Sequence, residues 1–164
     1  MTRGSTVFLL ARTVTYATLF VGLFLVFLPG SILTRAGITS PAATGPLELV
    51  AVLLAVSGAA LALWCIFSFV FLGKGTPAPF DPPRRLVVAG PYRYVRNPMY
   101  LGAAALLSGA ALRYQSIALL LYAAGFVFAM HLFVVLYEEP ALRERFGAEY
   151  EAYRAKVRRW LPHG

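Results

Sequence analysis

GPYRYVRNPMYLG, residues 90–102, is the stretch on which the reading of this chain turns. It crowds Tyr92, Arg93, Tyr94, Arg96 and Tyr100 around two prolines and runs straight into an apolar segment. Proline is favoured in the first turn of a helix, so Pro98 marks a helix start and Asn97 its entrance. A polar cluster at the mouth of an apolar helix reads in two ways. It is a basic flank with an interfacial aromatic belt, or it is a site.

Outward from this cluster the chain is apolar. Of 164 residues, 59% are hydrophobic and 13% charged, against about 25% charged in soluble domains. Four runs stand out. The first lies between Arg12 and Arg35, and Pro29-Gly30 is expected to end its helix near Leu28. It exceeds the roughly 7–15 residues of a signal-peptide core, and Arg12 can snorkel from just below it. The second, residues 47–72, carries no charge after Glu48 and exceeds the roughly 20 residues a span needs. The third, 98–112, is shorter and rich in Ala and Gly, and the fourth, 116–137, holds one polar outlier, His131. Only Arg113-Tyr114-Gln115 separates the last two, which predicts a tight helical hairpin. Gly102, Ala103, Ala104, Ala105, Ser108 and Gly109 are expected to bring that pair close together.

The fold expected is an all-α integral membrane protein of about four transmembrane helices. One domain covers residues 1–164: spans within 1–72, a loop at 73–97, the hairpin at 98–137 and a tail at 138–164. The net charge of +8 would suggest nucleic acid in a soluble protein. Here no basic stripe lies on a soluble fold, so no nucleic-acid partner is expected. The basic residues gather instead in the middle loop (Lys74, Arg84, Arg85, Arg93, Arg96) and the tail (Arg143, Arg145, Arg154, Lys156, Arg158, Arg159). With four spans these segments share a side with both termini, and the charge excess makes that side cytoplasmic.

The middle loop opens GKGTPAPFDPP, whose prolines and glycines rule out a long helix. Loops of that length are functional or disordered, and the complexity of its second half favours function. In the tail, Leu142, Phe146, Tyr150, Tyr153, Val157 and Trp160 recur at helical spacing. That predicts an amphipathic helix, lying in the membrane interface or packed over the middle loop.

Three further places could do chemistry. Glu138-Glu139 end the fourth run, where adjacent carboxylates oppose the helix dipole and call for a cation. Glu139 has Arg143 at i,i+4 as a solvated partner, while Glu138 is left for a cationic ligand or a loop arginine. His131, about two turns earlier, would share the face of Glu138. It is a packing histidine or a substrate contact, and with no second ligand beside it no metal site is expected. Cys65, the only cysteine, can form no intrachain disulfide and suits core packing. The chain carries no phosphate-binding glycine loop and no βαβ pattern.

LVVAGPYRYVRNPMYLG, followed by EEPALRERFGAEYEAYRAKVRRWLP, resembles the isoprenylcysteine carboxyl methyltransferase family and its phospholipid N-methyltransferase relatives. The resemblance covers about residues 84–162. It implies S-adenosylmethionine held between the middle loop and the end of the last span. It also implies cofactor contacts from Arg84, Arg85, Leu86, Val87, Tyr92, Asn97, Pro98, Met99, Tyr100 and Glu138, with Arg96, Asn97 and Tyr100 at the reacting centre. Asn97 stands where the family has histidine. Asn donates and accepts but cannot become charged, which argues for cofactor contact rather than a base. Val134 stands where prenylcysteine enzymes read the substrate carboxylate with arginine, which argues against that substrate. His131 and Val134 are the expected substrate-facing positions.

The chemistry of the residues agrees. Arginines near Asn97 suit a carboxylate, and Glu138 suits an ammonium or ribose hydroxyls. Methyl transfer is an in-line displacement that rests on positioning and exclusion of water. The acceptor expected is a lipophilic molecule reacting at a carboxylate or other oxygen, which needs no deprotonation at neutral pH. Two rival classes remain: an NADPH-dependent membrane reductase of the sterol-reductase type, whose motif departs from this one at Met99, and a non-catalytic membrane assembly protein.

Overall fold

The computed structural model describes residues 3–73 and 85–162. Those residues form helices and connecting turns, with no strand among them. Three helical rods are long and apolar enough to cross a bilayer: Ala11–Arg35, Gly45–Gly73 and Ile117–Lys156.

The first rod runs from α1 (Arg3–Phe20) through a π-helical turn (Val21–Phe27) into α2 (Leu28–Arg35). Pro29-Gly30 therefore does not end the helix, contrary to expectation, and the π turn supplies the reason. Its bonds skip five residues, as from Leu28 N–H to Leu23 O. The next bond would need an N–H at Pro29, which has none. Phe24 O would be orphaned in hydrocarbon, a cost of several kcal/mol. The Tyr122 hydroxyl donates to it instead, at 2.8 Å. The rod stops at Gly37, whose φ of +70° lets Ile38 N–H reach back to Leu33 O at 2.9 Å.

The second rod is α3 (Gly45–Ser68), ending in a π turn, Phe69–Gly73. Helix α4 (Pro98–Tyr114) starts at the proline as expected. With 17 residues it rises about 26 Å, the shortest of the four. Gln115, in the left-handed region at φ +49°, and Ser116, whose Oγ accepts Leu119 N–H, reverse the chain into α5 (Ile117–Phe133).

The glycines of α4, Gly102 and Gly109, do not face α5, as the hairpin had suggested. They face α3. A Cβ on Gly58 would lie 2.5 Å from Gly102 O, and one on Gly109 would lie 2.6 Å from Ala51 O. The two backbones touch, and only glycine fits. On its other side α4 packs Ala103 and Leu107 against Ala123 and Phe126, with Phe20, Phe24 and Tyr122 around them.

α5 continues through a π turn (Val134–Glu138) into α6 (Glu139–Lys156). At about 1.5 Å per residue, residues 117–137 already cross a roughly 30 Å core, so α6 lies beyond it. Gly147 breaks α6, with φ +49° and ψ −122°. Arg143 Nε then meets Glu151 Oε1 at 2.7 Å, a contact a straight helix cannot make across eight residues. The tail is thus a folded-back pair of short helices. It is not one continuous interfacial helix, because the glycine turns it over the middle loop.

Candidate active site

The middle loop leaves the second rod at Gly73 and is next described at Arg85, whose N–H donates to Gly73 O at 3.4 Å. Arg84 lies outside the described residues. Arg85 is exposed, Leu86 half-buried and Val87 buried. Gly90, at φ +62°, seats the returning chain on the end of α3, where an added Cβ would lie 3.0 Å from Ser68 Oγ.

From there Gly90–Arg93 forms a single 3₁₀ turn. It drives Tyr92 into the protein, where Cys65, Val87, Leu61, Phe69 and Met99 surround it. Phe69 meets the Tyr92 ring edge to face at 5.3 Å. Pro98 and Asn97 are buried at the head of α4. One turn along, the Tyr100 hydroxyl donates to Glu138 Oε2 at 2.9 Å. Residues 38 apart in sequence thus meet across the bundle. Among the described residues no arginine or lysine pairs with Glu138.

Its neighbour behaves in the opposite way. Glu139 is buried, with 6% of its surface exposed. Arg159 grips it with two bonds, Nε to Oε1 at 2.7 Å and a terminal nitrogen to Oε2 at 3.0 Å. Arg96 adds a second cation at 3.2 Å. The expected partner, Arg143, is elsewhere, paired with Glu151. Burial alone would raise the Glu139 carboxyl. The Arg159 hydrogen bond and the charges of Arg96 and Arg159 outweigh that and hold it below the usual carboxylate range.

Arg96 and Asn97 are tied to the tail. The Arg96 backbone N–H donates to Arg158 O at 2.9 Å, and its guanidinium reaches the Tyr150 hydroxyl at 3.3 Å. Asn97 Nδ2 donates to Arg159 O at 3.3 Å. The Tyr153 hydroxyl donates to Tyr92 O at 2.6 Å.

His131 Nδ1 accepts the Trp160 indole N–H at 3.1 Å. Indole only donates, so the other imidazole nitrogen carries the hydrogen. The π turn after Phe133 breaks the α-helical spacing that would have set His131 under Glu138. Val134 is fully buried and offers no surface to a substrate.

The folded-back clasp of Tyr150, Tyr153, Arg159 and Trp160 was hidden in the sequence. The signals were present: a glycine inside an amphipathic pattern and an Arg-Arg-Trp cluster just past it.

The phospholipid methyltransferase family model matches residues 47–149, well over half of the chain. No curated protein and no solved structure matches it. The chain belongs to the phospholipid methyltransferase family. It is a multi-pass membrane methyltransferase that uses S-adenosylmethionine and acts on lipid, which removes the reductase and assembly-protein readings.

Proposed function

We propose that S-adenosylmethionine binds where the middle loop, the head of α4 and the end of the last span converge, and that the acceptor is a lipid reacting at headgroup depth. The observation that carries this is the Tyr100–Glu138 bond beside buried Tyr92. A half-buried carboxylate with a phenol as partner, and no cation among the described residues, fits a cationic ligand. The cofactor supplies an activated methyl group on a sulfonium. The chain's own residues do the rest. Glu138 takes the positive part of the ligand, and Tyr100 fixes the carboxylate. Tyr92 and Met99 wall the site against water, and Asn97 holds the loop edge. Arg85, Leu86 and Val87 line the approach from the loop.

The excess of basic residues in the middle loop and tail supports a cytoplasmic side for this end of the bundle and for both termini. The acceptor we favour is an oxygen such as a carboxylate. Glu139 is locked between two arginines and His131 is bound to Trp160, so neither offers itself as a base. A second reading, a lipid amine, is favoured by the aromatic and acidic surroundings of Glu138, which suit an ammonium.

Vesicles holding the purified protein, given methyl-labelled S-adenosylmethionine and total lipid extract, test this. Label is expected in the lipid fraction and should be released as methanol by mild base if the acceptor is a carboxylate. Base-stable label recovered in a methylated amine headgroup supports the amine, and base-stable label in an ether methyl supports a hydroxyl oxygen. No label in any lipid, with the protein folded, overturns the assignment.

A further inference from the structure

We infer that Glu139 is a positioning residue that holds the tail closed over the cofactor site. The inference rests on the proposed placement of S-adenosylmethionine beside Glu138.

Three segments distant in sequence converge on this one carboxylate. Glu139 opens α6 just past the last span, Arg96 comes from the middle loop and Arg159 from the far end of the tail. Arg96 and Glu139 side chains are 10% and 8% exposed. Arg96 Nε is buried without a hydrogen-bond partner, and among the described residues Glu139 is the carboxylate that pairs with that guanidinium. Remove it, and two arginines face each other with no anion between them.

What depends on this docking is the edge of the site. Asn97 Nδ2 and the Arg96 N–H bond backbone carbonyls of the tail, and Tyr92 O accepts from Tyr153. Each of these loop residues adjoins the Tyr92–Tyr100–Glu138 cluster. The tail therefore sets the position of the loop, and Glu139 sets the position of the tail. A buried ion pair is weak evidence for stability, and the role inferred for this one is the choice of a single docked geometry.

The test is a double-mutant cycle read as cofactor affinity. Glu139→Gln, Arg159→Ala and the double variant, as full-length protein in micelles, are titrated with S-adenosylmethionine and with its demethylated product. Each single change should raise Kd at least about tenfold. The double variant should be little worse than the worse single, since the two residues act through one contact. KM for the cofactor should rise while kcat at saturation stays near wild type. Glu139→Asp should recover part of the loss. A structural role alone would lower Tm and leave Kd untouched. Tyr153→Phe loosens the same docking without touching charge, should raise Kd severalfold, and serves if Glu139→Gln does not fold. Unchanged Kd in the folded variants, or losses that simply multiply, overturns the inference. If Glu138→Gln also leaves affinity unchanged, the site assignment itself falls. If Glu138→Gln weakens binding and Glu139→Gln does not, only this inference falls.

Discussion

The two ends of the bundle are held by different physics. At the end away from the site, the 38–44 loop is tied to the α4–α5 turn by backbone bonds: Ala42 and Ala43 N–H to Arg113 O at 3.1 and 2.9 Å. The Gln115 amide adds a bond to Ala42 O at 3.1 Å. The ion pair there, Arg113 with Glu48, is 3.8 Å long and nearly half exposed on both sides. At the site end, Arg96 and Glu139 are buried and Arg159 is partly so, and the three, drawn from separate segments, are joined by ion pairs and hydrogen bonds. Backbone bonds come with any well-made turn. Buried ions cost desolvation that their attraction barely repays. Among the described residues that expense falls at the site end, where the proposed docking of the tail would use it.

The hardest blow to this contrast is Glu139→Gln. Removing one partner of a buried pair costs roughly 3–5 kcal/mol, and here the loss should fall on tail docking and spare the spans. Trp160 fluorescence, in a Trp64→Phe background, should report release of the tail, and trypsin should cut after Arg158 and Arg159. Acid should do the same. The Glu139 carboxyl lies below its ordinary value in the docked state. Its contribution is therefore complete above about pH 4.3 and disappears as pH falls through the lower, docked value. A tail that stays docked in Glu139→Gln would erase the difference between the ends.

How much of this was legible follows the same division. The spans were plain because composition alone sets them: long unbroken apolar runs can satisfy their backbone in hydrocarbon within one segment only as helices. Pro98 announced a helix start by local chemistry, whereas the capping of α5 by Ser116 showed only in the structure. The meeting of Tyr100 with Glu138 became visible only through the family resemblance. The π turns were not legible, since apolar residues on every side give a register shift no signature. Nor was the partner of the small-residue stripe on α4. Such a stripe promises close approach without naming the neighbour, although Ala51, Ala55, Gly58 and Ala62 make a matching stripe on α3. Glu139 misled for a related reason. The i,i+4 rule assumes a continuous helix whose far end goes elsewhere, and Gly147 brings Arg159 back instead.

A smaller effect should follow at Glu138, and of another kind. Glu138→Gln keeps volume and removes charge. The loss of one charge-assisted bond to ligand is worth roughly 1.5–3 kcal/mol, or about 10–150-fold in cofactor affinity. The tail should stay docked, because Glu138 bonds Tyr100 and not the arginines. Calorimetric titration against S-adenosylmethionine, beside the Trp160 signal, separates ligand binding from docking. Equal affinities for Glu138→Gln and wild type, in folded protein, would sink the site.

The least effect should come from the opposite end, where Arg113→Gln removes the bundle's exposed pair with Glu48. At about 4 Å in water two unit charges attract by about 1 kcal/mol. Fixing two long side chains consumes much of that, and salt screens the rest, so exposed pairs contribute about 0–1 kcal/mol. The side chains here are 44% and 45% exposed, which puts them in that class. What holds the turn is the Arg113 carbonyl, which accepts from Ala42 and Ala43 and survives any side-chain change. Thermal unfolding in micelles should therefore move by less than the equivalent of about 0.5 kcal/mol, with methyl transfer and cofactor affinity as in wild type. Raising salt should shrink even that difference, whereas the buried Glu139 clasp should ignore salt. A loss in Arg113→Gln as large as that in Glu139→Gln would mean that both ends rest on charge, and that burial at the site end confers nothing special.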